Sequence, residues 1–322
     1  MTFTGKTMKN YLVSSLAALV LAATSQQALA ASQPETVNIG YQKANIFALL
    51  KYRGTLDESF KKQGIAVRWI DFPAGPQMLE GLNVGSIDLA ATGDAPPAFA
   101  QAAQADLVYL AHSPANPKTE AIVVAENSAI KSVADLKGKR VGLNKGSDVN
   151  YLLVTALEKA GLSYKDITPV YLPPADARAA FQRGAIDACV IWDPFLAEVE
   201  TNAKARQIRN AEGLVPHYTF YLASRKFADT YPDTAKQVVD ELGKLSEWAN
   251  GHQDDAAGIL STSTGLDKAI WLKTLARLPY GAERMTPAVY NEQQALADTF
   301  TRIGLLPVKV DVRSATWSLD KQ

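Results

Sequence analysis

One local pattern occurs twice in this chain of 322 residues and strongly restricts the folds open to it. Gly-x-Ile-Asp occupies residues 85–88 and again residues 184–187, each time after an apolar-periodic segment typical of a helix. A short apolar run follows each copy, and an aspartate with proline close behind stands nine residues after the glycine, at Asp94 and Asp193. Two equivalent helix–strand–corner units predict two similar lobes whose corners face a shared cleft. The alternative is two ordinary αβ units that share the same turn residues.

The rest of the chain alternates short apolar strands with helices, which is typical of parallel α/β folds. Strands are predicted at residues 36–41, 66–72, 87–91, 106–111, 120–125, 140–143, 170–172, 188–191 and 220–224. A proline-rich turn at residues 112–117 interrupts this rhythm and predicts a crossing from one lobe to the other. We therefore expect an α/β fold with a discontinuous first lobe of residues 31–117 and 219–322 and a second lobe of residues 118–218. Two crossing strands would form a hinge that closes over a ligand.

Residues 1–30 have the order of an export signal: Lys6 and Lys9, an apolar run at 11–23, and a small-x-small triplet that ends at Ala30. The run is shorter than the roughly 20 residues that span a bilayer. We predict cleavage after this triplet and a periplasmic location. The chain has 33 basic and 33 acidic side chains, and loss of the two lysines would leave 31 basic ones. Because no basic stripe stands out, nucleic acid is not an expected partner.

The sequence carries none of the short motifs that mark common catalytic or nucleotide sites. It lacks the glycine-rich nucleotide fingerprints, the Gly-x-Ser-x-Gly elbow and His-Glu-x-x-His. The three histidines, His112, His217 and His252, have no paired ligand spacing. The single cysteine, Cys189, lies in an apolar run and is predicted to be a small buried hydrophobe. We expect a binding protein without cofactor or metal, although a catalytic set assembled from distant residues stays open.

Four predicted corners follow strands, at the edge of an α/β sheet where ligands commonly bind. They offer backbone N–H groups, amides and short hydroxyls, which suit an oxyanion that stays deprotonated. Helix capping is the alternative function of each corner. Trp192 follows an apolar strand and is either a wall for an organic group or a core residue. The candidate ligand-binding residues of these corners and of the second repeat are Gln42, Gln77, Thr92, Gly93, Asp94, Lys145, Gly146, Ser147, Asp148, Trp192 and Asp193.

These stretches resemble the periplasmic aliphatic sulfonate-binding proteins of sulfonate ABC importers. The resemblance is carried by residues 72–102, which include Thr-Gly-Asp-Ala-Pro-Pro, by Ile-Gly-Tyr-Gln-Lys at 39–43, by segments 125–138 and 174–182, and by Ile-Trp-Asp-Pro at 191–194. It implies a two-lobed periplasmic binding protein fold of type II that captures an alkanesulfonate by hinge closure. It also implies delivery of the ligand to a membrane permease with a cytoplasmic ATPase, for sulfur acquisition. We expect the protein to be a monomer.

The resemblance assigns the oxyanion shell to Gln42, Thr92, Gly93, Lys145, Gly146 and Ser147. Trp192 and Asp193 would form the wall contributed by the second lobe. The sequence departs from the resemblance at Asp148-Val149, where further serines are expected. A carboxylate beside a sulfonate is unfavourable unless it caps the helix or meets a cationic group of the ligand. The alternatives are a binder of taurine, nitrate or a thiamine precursor, and a desulfinase-like enzyme with Cys189 as its nucleophile.

Overall fold

In the computed structural model, which describes residues 33–43 and 45–317, ten strands form two five-stranded sheets. In chain order the strands are β1 (Thr36–Tyr41), β2 (Ala66–Asp71), β3 (Leu89–Thr92), β4 (Leu107–His112), β5 (Glu120–Ala125), β6 (Arg140–Leu143), β7 (Thr168–Tyr171), β8 (Ala188–Trp192), β9 (Ala205–Asn210) and β10 (Phe220–Ser224). The predicted export signal and its cleavage site lie outside the described residues. Among the described residues, no helix combines the length and the apolar character needed to cross a membrane.

The two sheets have the same arrangement. Their orders are β2-β1-β3-β10-β4 and β7-β6-β8-β5-β9. The first three strands of each are parallel, and the fourth is antiparallel to both of its neighbours. That fourth strand is the one that follows a crossing between the sheets, β10 in the first and β5 in the second. We call the elements packed on these sheets the first lobe and the second lobe.

Twelve α-helices are described, together with three short 3₁₀ turns. The helices are α1 (Ile46–Arg53), α2 (Thr55–Lys61), α3 (Gly75–Asn83), α4 (Ala95–Ala102), α5 (Asp148–Lys159), α6 (Pro174–Gln182), α7 (Phe195–Asn202), α8 (Arg225–Thr230), α9 (Pro232–Gly251), α10 (Gln253–Thr264), α11 (Lys268–Leu275) and α12 (Pro287–Arg302). Pro96 and Pro97 lie in the first turn of α4, where a missing N–H group breaks no helical hydrogen bond.

Apolar side chains cover both faces of each sheet, as parallel strands require. In the second lobe, Ala121 and Val123 of β5 pack with α6 and α7, while Ile122 and Val124 pack with α5 on the other face. In the first lobe, the core around β1 includes the fully buried Trp271 of α11, which places the C-terminal helices on this sheet.

The repeated Gly-x-Ile-Asp sequence makes the same contact in both lobes. Asp88 accepts hydrogen bonds at 2.8 Å from the backbone N–H of Asn38 in β1 and at 2.9 Å from its side-chain amide. The isoleucine of the motif, Ile87, lies against Gly40 of β1, where an added Cβ would be 2.5 Å from Ile87 Cδ1. A glycine at this strand position is therefore required for the isoleucine to pack. The contact joins the start of β3 to β1.

The second copy makes the same contact in the other sheet, where it joins the start of β8 to β6. Asp187 accepts a hydrogen bond at 2.8 Å from the backbone N–H of Arg140 in β6, and its carboxylate also pairs with the Arg140 guanidinium at 2.9 Å. Ile186 lies against Gly142, where an added Cβ would be 2.3 Å from Ile186 Cδ1. We refer to both copies as the Gly-x-Ile-Asp contact.

Two segments connect the sheets, residues 113–119 and residues 211–219, and they are hydrogen-bonded to each other. Ser113 N donates to Thr219 O at 2.8 Å, and Asn116 N donates to His217 O at 2.9 Å. His217 has a φ of 53°, in the left-handed region that few non-glycine residues occupy. Two paired crossings give the lobes one shared axis about which they can rotate.

Two predicted strands, 87–91 and 170–172, start two residues away from their observed positions, and one strand was not predicted; the strand predicted at 170–172 is Thr168–Tyr171. The strand predicted at residues 87–91 is Leu89–Thr92, because Ile87 and Asp88 form the Gly-x-Ile-Asp contact before the ladder begins. Strand β9 was not predicted, since its Arg-Gln-Ile-Arg pattern has only one large apolar side chain. It is half-buried along its length and pairs with the edge of β5.

Candidate functional site

A cleft lies between the two lobes and beside both crossing segments. The first lobe supplies residues that follow β1 and β3, and the second lobe supplies residues that follow β6 and β8. The carboxyl ends of parallel strands meet at one edge of each sheet, so the two edges face each other across the cleft. The crossing segments close its base with Ser113, Asn116, Thr119, His217 and Thr219.

Five helices begin at this cleft. α1, α3 and α5 start at residues that line it, Ile46, Gly75 and Asp148, whereas α4 and α7 start two residues after the lining residues Gly93 and Asp193. The first turn of each helix leaves N–H groups without intrahelical partners, and the aligned peptide dipoles give it a positive end. The convergence of these helix starts makes the cleft suitable for a negatively charged group.

The described residues that line this cleft include no lysine and no arginine. Neutral groups replace them, among them the amides of Gln42, Asn45 and Asn116. The hydroxyl of Thr92 donates to Gly93 O at 3.0 Å, and that of Ser147 donates to Asn144 O at 2.7 Å. These two hydroxyls therefore shape their corners in this structure, and donation to a ligand would require them to rotate.

Four buried ionisable groups interact at the base of the cleft: Asp94, Glu120, Asp148 and His217. His217 Nδ1 lies 3.6 Å from Glu120 Oε2 and 4.0 Å from Asp148 Oδ2. Burial, reinforced by the charge of Asp148, raises the pKa of Asp94 well above its usual value. Burial, with the charges of Asp148 and Asp94, raises the pKa of Glu120 in the same way. Burial lowers the pKa of His217, and the nearby Asp148 opposes that change.

The lobes touch directly across the cleft at Gly93 and Asp148. A Cβ added to Gly93 would lie 2.2 Å from Asp148 Oδ1, which is far inside van der Waals contact. The backbone of Gly93 has no left-handed φ, so the glycine is needed for close approach and not for backbone conformation. The structure is therefore in a closed form, in which the start of α5 is packed on the corner after β3.

Asp193, at the other side of the cleft, contacts a basic residue of the first lobe. Its Oδ1 accepts a hydrogen bond at 2.9 Å from Ala197 N in the first turn of α7, so it caps that helix. Its Oδ2 lies 3.6 Å from Arg277 Nη1. Burial raises the pKa of Asp193 to about 7, although Arg277 and the Ala197 hydrogen bond oppose the change.

The structure brings seven of the eleven predicted site residues into one cleft and leaves four outside its lining. The seven are Gln42, Thr92, Gly93, Ser147, Asp148, Trp192 and Asp193. Lys145 and Gly146 line a neighbouring cavity between α3, α4 and the corner before α5. Asp94 is buried directly behind Gly93, and Gln77 lies in the first turn of α3 with its side-chain oxygen buried.

Sequence reasoning missed several lining residues, above all Asn45, Asn116, Thr119 and His217. Asn45 caps α1 and also donates from its amide to Ala91 O at 2.9 Å, so a capping signal was present. The other three lie on the crossing segments, where no strand or helix periodicity marks a position. Their contribution depends on the pairing of segments about a hundred residues apart, which no local pattern encodes.

Cys189 lies in the middle of β8 and is fully buried. Burial in apolar surroundings raises the pKa of its thiol to about 12. A catalytic cysteine needs a positive field or a nearby base and access to its substrate. The position of Cys189 provides neither access nor activation.

Two α/β lobes, paired crossing segments and a cleft surrounded by helix starts define a two-lobed solute-binding protein of type II. The chain belongs to the NMT1/THI5-like family, whose sequence profile matches residues 58–256. It is 42% identical over 312 residues to a protein of Escherichia coli named as an aliphatic sulfonates-binding protein, and it covers 97% of that protein. The predicted resemblance to this group, and the prediction of a binding protein rather than an enzyme, are confirmed.

Solved structures give the same result. The alkanesulfonate-binding protein of Xanthomonas axonopodis pv. citri bound to MOPS has a TM-score of 0.85 and 43% identity, with 89% of this chain and 99% of that chain covered. The periplasmic aliphatic sulphonate binding protein of Escherichia coli has a TM-score of 0.79 and 42% identity, with 89% and 93% covered. The predicted α/β fold with two lobes is confirmed by these structures.

Proposed function

We propose that this chain is an exported solute-binding protein that captures alkanesulfonates by hinge closure and delivers them to an ABC importer for sulfur acquisition. The cleft carries the proposal, because helix starts from both lobes converge on it and its described lining has no lysine or arginine. A sulfonate is a permanent monoanion, so oriented N–H groups and neutral amides suffice to bind it. The names of the relatives in Escherichia coli and Xanthomonas support this ligand class.

An organic tail has a place beside the anion site. A wider cavity adjoins the cleft and shares Gln42 and Trp192 with it. Its lining is largely apolar, with Phe72, Pro173 and Phe195 among its residues. Trp192 therefore stands between the region of helix starts and this wider cavity. An alkyl chain that leaves the sulfonate would run past this indole, which favours an organosulfonate over inorganic nitrate.

The expected partners and location follow from the same proposal. Residues 31–117 with 219–322 would act as one lobe and residues 118–218 as the other, and the closed form would be presented to a membrane permease. The Escherichia coli relative of known structure is named as periplasmic, which supports a periplasmic location after cleavage at Ala30. We expect the protein to work as a monomer.

Titration calorimetry of the purified mature chain tests the ligand class. The panel contains alkanesulfonates of increasing chain length, taurine, nitrate and a thiamine precursor. We expect at least one alkanesulfonate to bind more tightly than nitrate and the thiamine precursor by about tenfold or more. Tightest binding of nitrate or of the thiamine precursor, or no binding of any sulfonate, would refute the proposal.

The substitution Trp192→Ala tests the contribution of the alkyl tail to affinity separately from that of the sulfonate head group. We expect affinity for a long-chain alkanesulfonate to fall about tenfold, because apolar contact is lost, while methanesulfonate changes much less. Trp248→Ala is the matched control, since that indole stacks on Arg53 and His252 and is not among the residues that line the cleft. Equal loss for short and long sulfonates would show that Trp192 does not contact the tail.

A further inference from the structure

The buried group at the base of the cleft contains three side chains whose ligand atoms are arranged as in a metal site. The atoms come from Glu120, Asp148 and His217, and no two of them are more than 4.8 Å apart. Glu120 begins β5, Asp148 begins α5, and His217 lies on the second crossing segment, so three separate elements place them. All three residues are buried.

Two of the three side chains lack the hydrogen-bond partners that burial normally requires. Glu120 is fully buried, yet neither of its carboxylate oxygens has a hydrogen-bond partner among the described residues. The same holds for His217 Nδ1, which points between the carboxylates of Glu120 and Asp148. Direct hydrogen bonds do not explain the arrangement, because separations of 3.6 and 4.0 Å exceed hydrogen-bond length.

These separations agree with ligands held around a small ion. Ligand atoms of a tetrahedral zinc ion, with bonds of about 2.0–2.2 Å, lie about 3.3–3.6 Å from one another. The nitrogen and the Glu120 oxygen already have this separation, whereas the Asp148 oxygen, 4.0 Å from the nitrogen, would have to move closer. One imidazole and two carboxylates form a donor set that suits zinc and related divalent transition metals.

The acidic residues of the closed cleft also favour a bound cation. Glu120 and Asp148 are both buried acids, and Asp94 is a third buried acid beside the same cleft. Once both carboxylates are deprotonated their charges are costly to bury, and a divalent cation would compensate the two of them at once. Asp148 and His217 also line the cleft, so remaining coordination positions would open toward it.

We propose that Glu120, Asp148 and His217 bind one divalent transition metal ion of the zinc type at the base of the cleft. The proposal goes beyond sulfonate binding and does not depend on it, because it rests on the burial and the separations of three side-chain ligand atoms and can be tested without any sulfonate. A bound ion would also remove the unfavourable negative charge of Asp148 from beside an anionic ligand.

Titration of the chelator-treated protein with zinc chloride, in the absence of any sulfonate, tests the proposal directly. We expect one equivalent to bind to the parent protein, with elemental analysis giving the same stoichiometry after gel filtration. Glu120→Gln and His217→Asn each remove a ligand atom and should weaken binding by about 100-fold or more, beyond the effect of losing an outer partner. The matched control, His252→Asn, removes an exposed histidine of the first lobe and should bind zinc as the parent does.

Two results would overturn the proposal: no stoichiometric zinc binding by the parent, or parent-like binding by the folded Glu120 and His217 variants. Circular dichroism establishes whether each variant is folded. If either variant does not fold, Asp148→Asn is used in its place. The titration of the parent protein tests the proposal whether or not the variants fold. Failure here would leave the sulfonate titrations unaffected, so the two proposals can be told apart.

Discussion

At the residue scale, the closed form depends on Gly93, whose side chain is a single hydrogen atom and leaves room for the carboxylate of Asp148. The two residues belong to different lobes, and the carboxylate of Asp148 covers the Cα of Gly93. A methyl group there could be accommodated only by moving a carboxylate that is itself buried. Because Gly93 has an ordinary φ, the open form should accept alanine without strain.

We therefore expect Gly93→Ala to weaken binding of the tightest sulfonate by about tenfold or more, while the free energy of unfolding changes by about 1 kcal/mol or less. Calorimetry and urea denaturation measure the two quantities. Gly243→Ala is the control, because nothing lies within 4 Å of the added methyl group. Parent-like affinity in Gly93→Ala would mean that closure does not bring these residues into contact.

The sequence predicted Gly93 and Asp148 as site residues but not their contact. Corner chemistry identified both, since a strand followed by Gly-Asp or Ser-Asp and a helix is a local pattern. Their distance is set by closure of two lobes and has no local signature. For the same reason the sequence did not predict Glu120 and His217 as site residues. Glu120 occupies an ordinary strand start and His217 a loop, and neither position has a local pattern of its own.

At the scale of elements, the Gly-x-Ile-Asp contact fixes how strands meet. In both lobes the aspartate bonds to the N–H of the neighbouring strand, and the isoleucine fills the space above a glycine two residues farther along that strand. The sequence correctly predicted two equivalent units. Their function differs from that of the corners, since neither Asp88 nor Asp187 lines the cleft.

Removal of either carboxylate should affect stability and leave ligand binding intact. We expect Asp88→Ala and Asp187→Ala each to lower the free energy of unfolding by about 1–3 kcal/mol, because a strand N–H loses its charged acceptor. Asp240→Ala, at an exposed position of α9, should change it by about 0.5 kcal/mol or less.

Urea denaturation measures this loss, and titration with the tightest sulfonate measures affinity. A tenfold fall in affinity at unchanged stability, about 1.4 kcal/mol of binding energy, would instead assign the contact to the ligand site.

At the scale of the whole molecule, ion pairs join the lobes on both sides of the cleft. Glu200 of α7 accepts hydrogen bonds from Lys273 Nζ at 2.8 Å and from Arg277, both of the first lobe. Burial would raise the pKa of Glu200, but these hydrogen bonds and that of Gln207 lower it overall. Glu158 of α5 pairs with Arg302 of α12 at 2.8 Å. Such pairs form only when the lobes are together, so they favour the closed form.

Glu200→Gln should shift the lobes toward the open form. We expect sulfonate affinity to fall by about 2–10-fold, a modest effect because Lys273 is partly exposed to solvent and the pair is screened. Small-angle scattering should show a larger radius of gyration at subsaturating ligand. Glu241→Gln is the control, since Glu241 pairs with Lys244 within one helix. Unchanged affinity and radius in Glu200→Gln would show that this pair does not contribute to closure.

The Gly-x-Ile-Asp contact also bears on how members of this family can be sorted by cargo. It lies at the start of β3 and β8, whereas the cleft is lined by Ala91, Thr92 and Trp192, where those strands end. Two proteins that share the contact share a scaffold, whatever they carry. We expect ligand specificity to depend on residues a few positions downstream, at 92–93 and 192–193. Substitutions there can change the ligand without disturbing the contact that joins the strands.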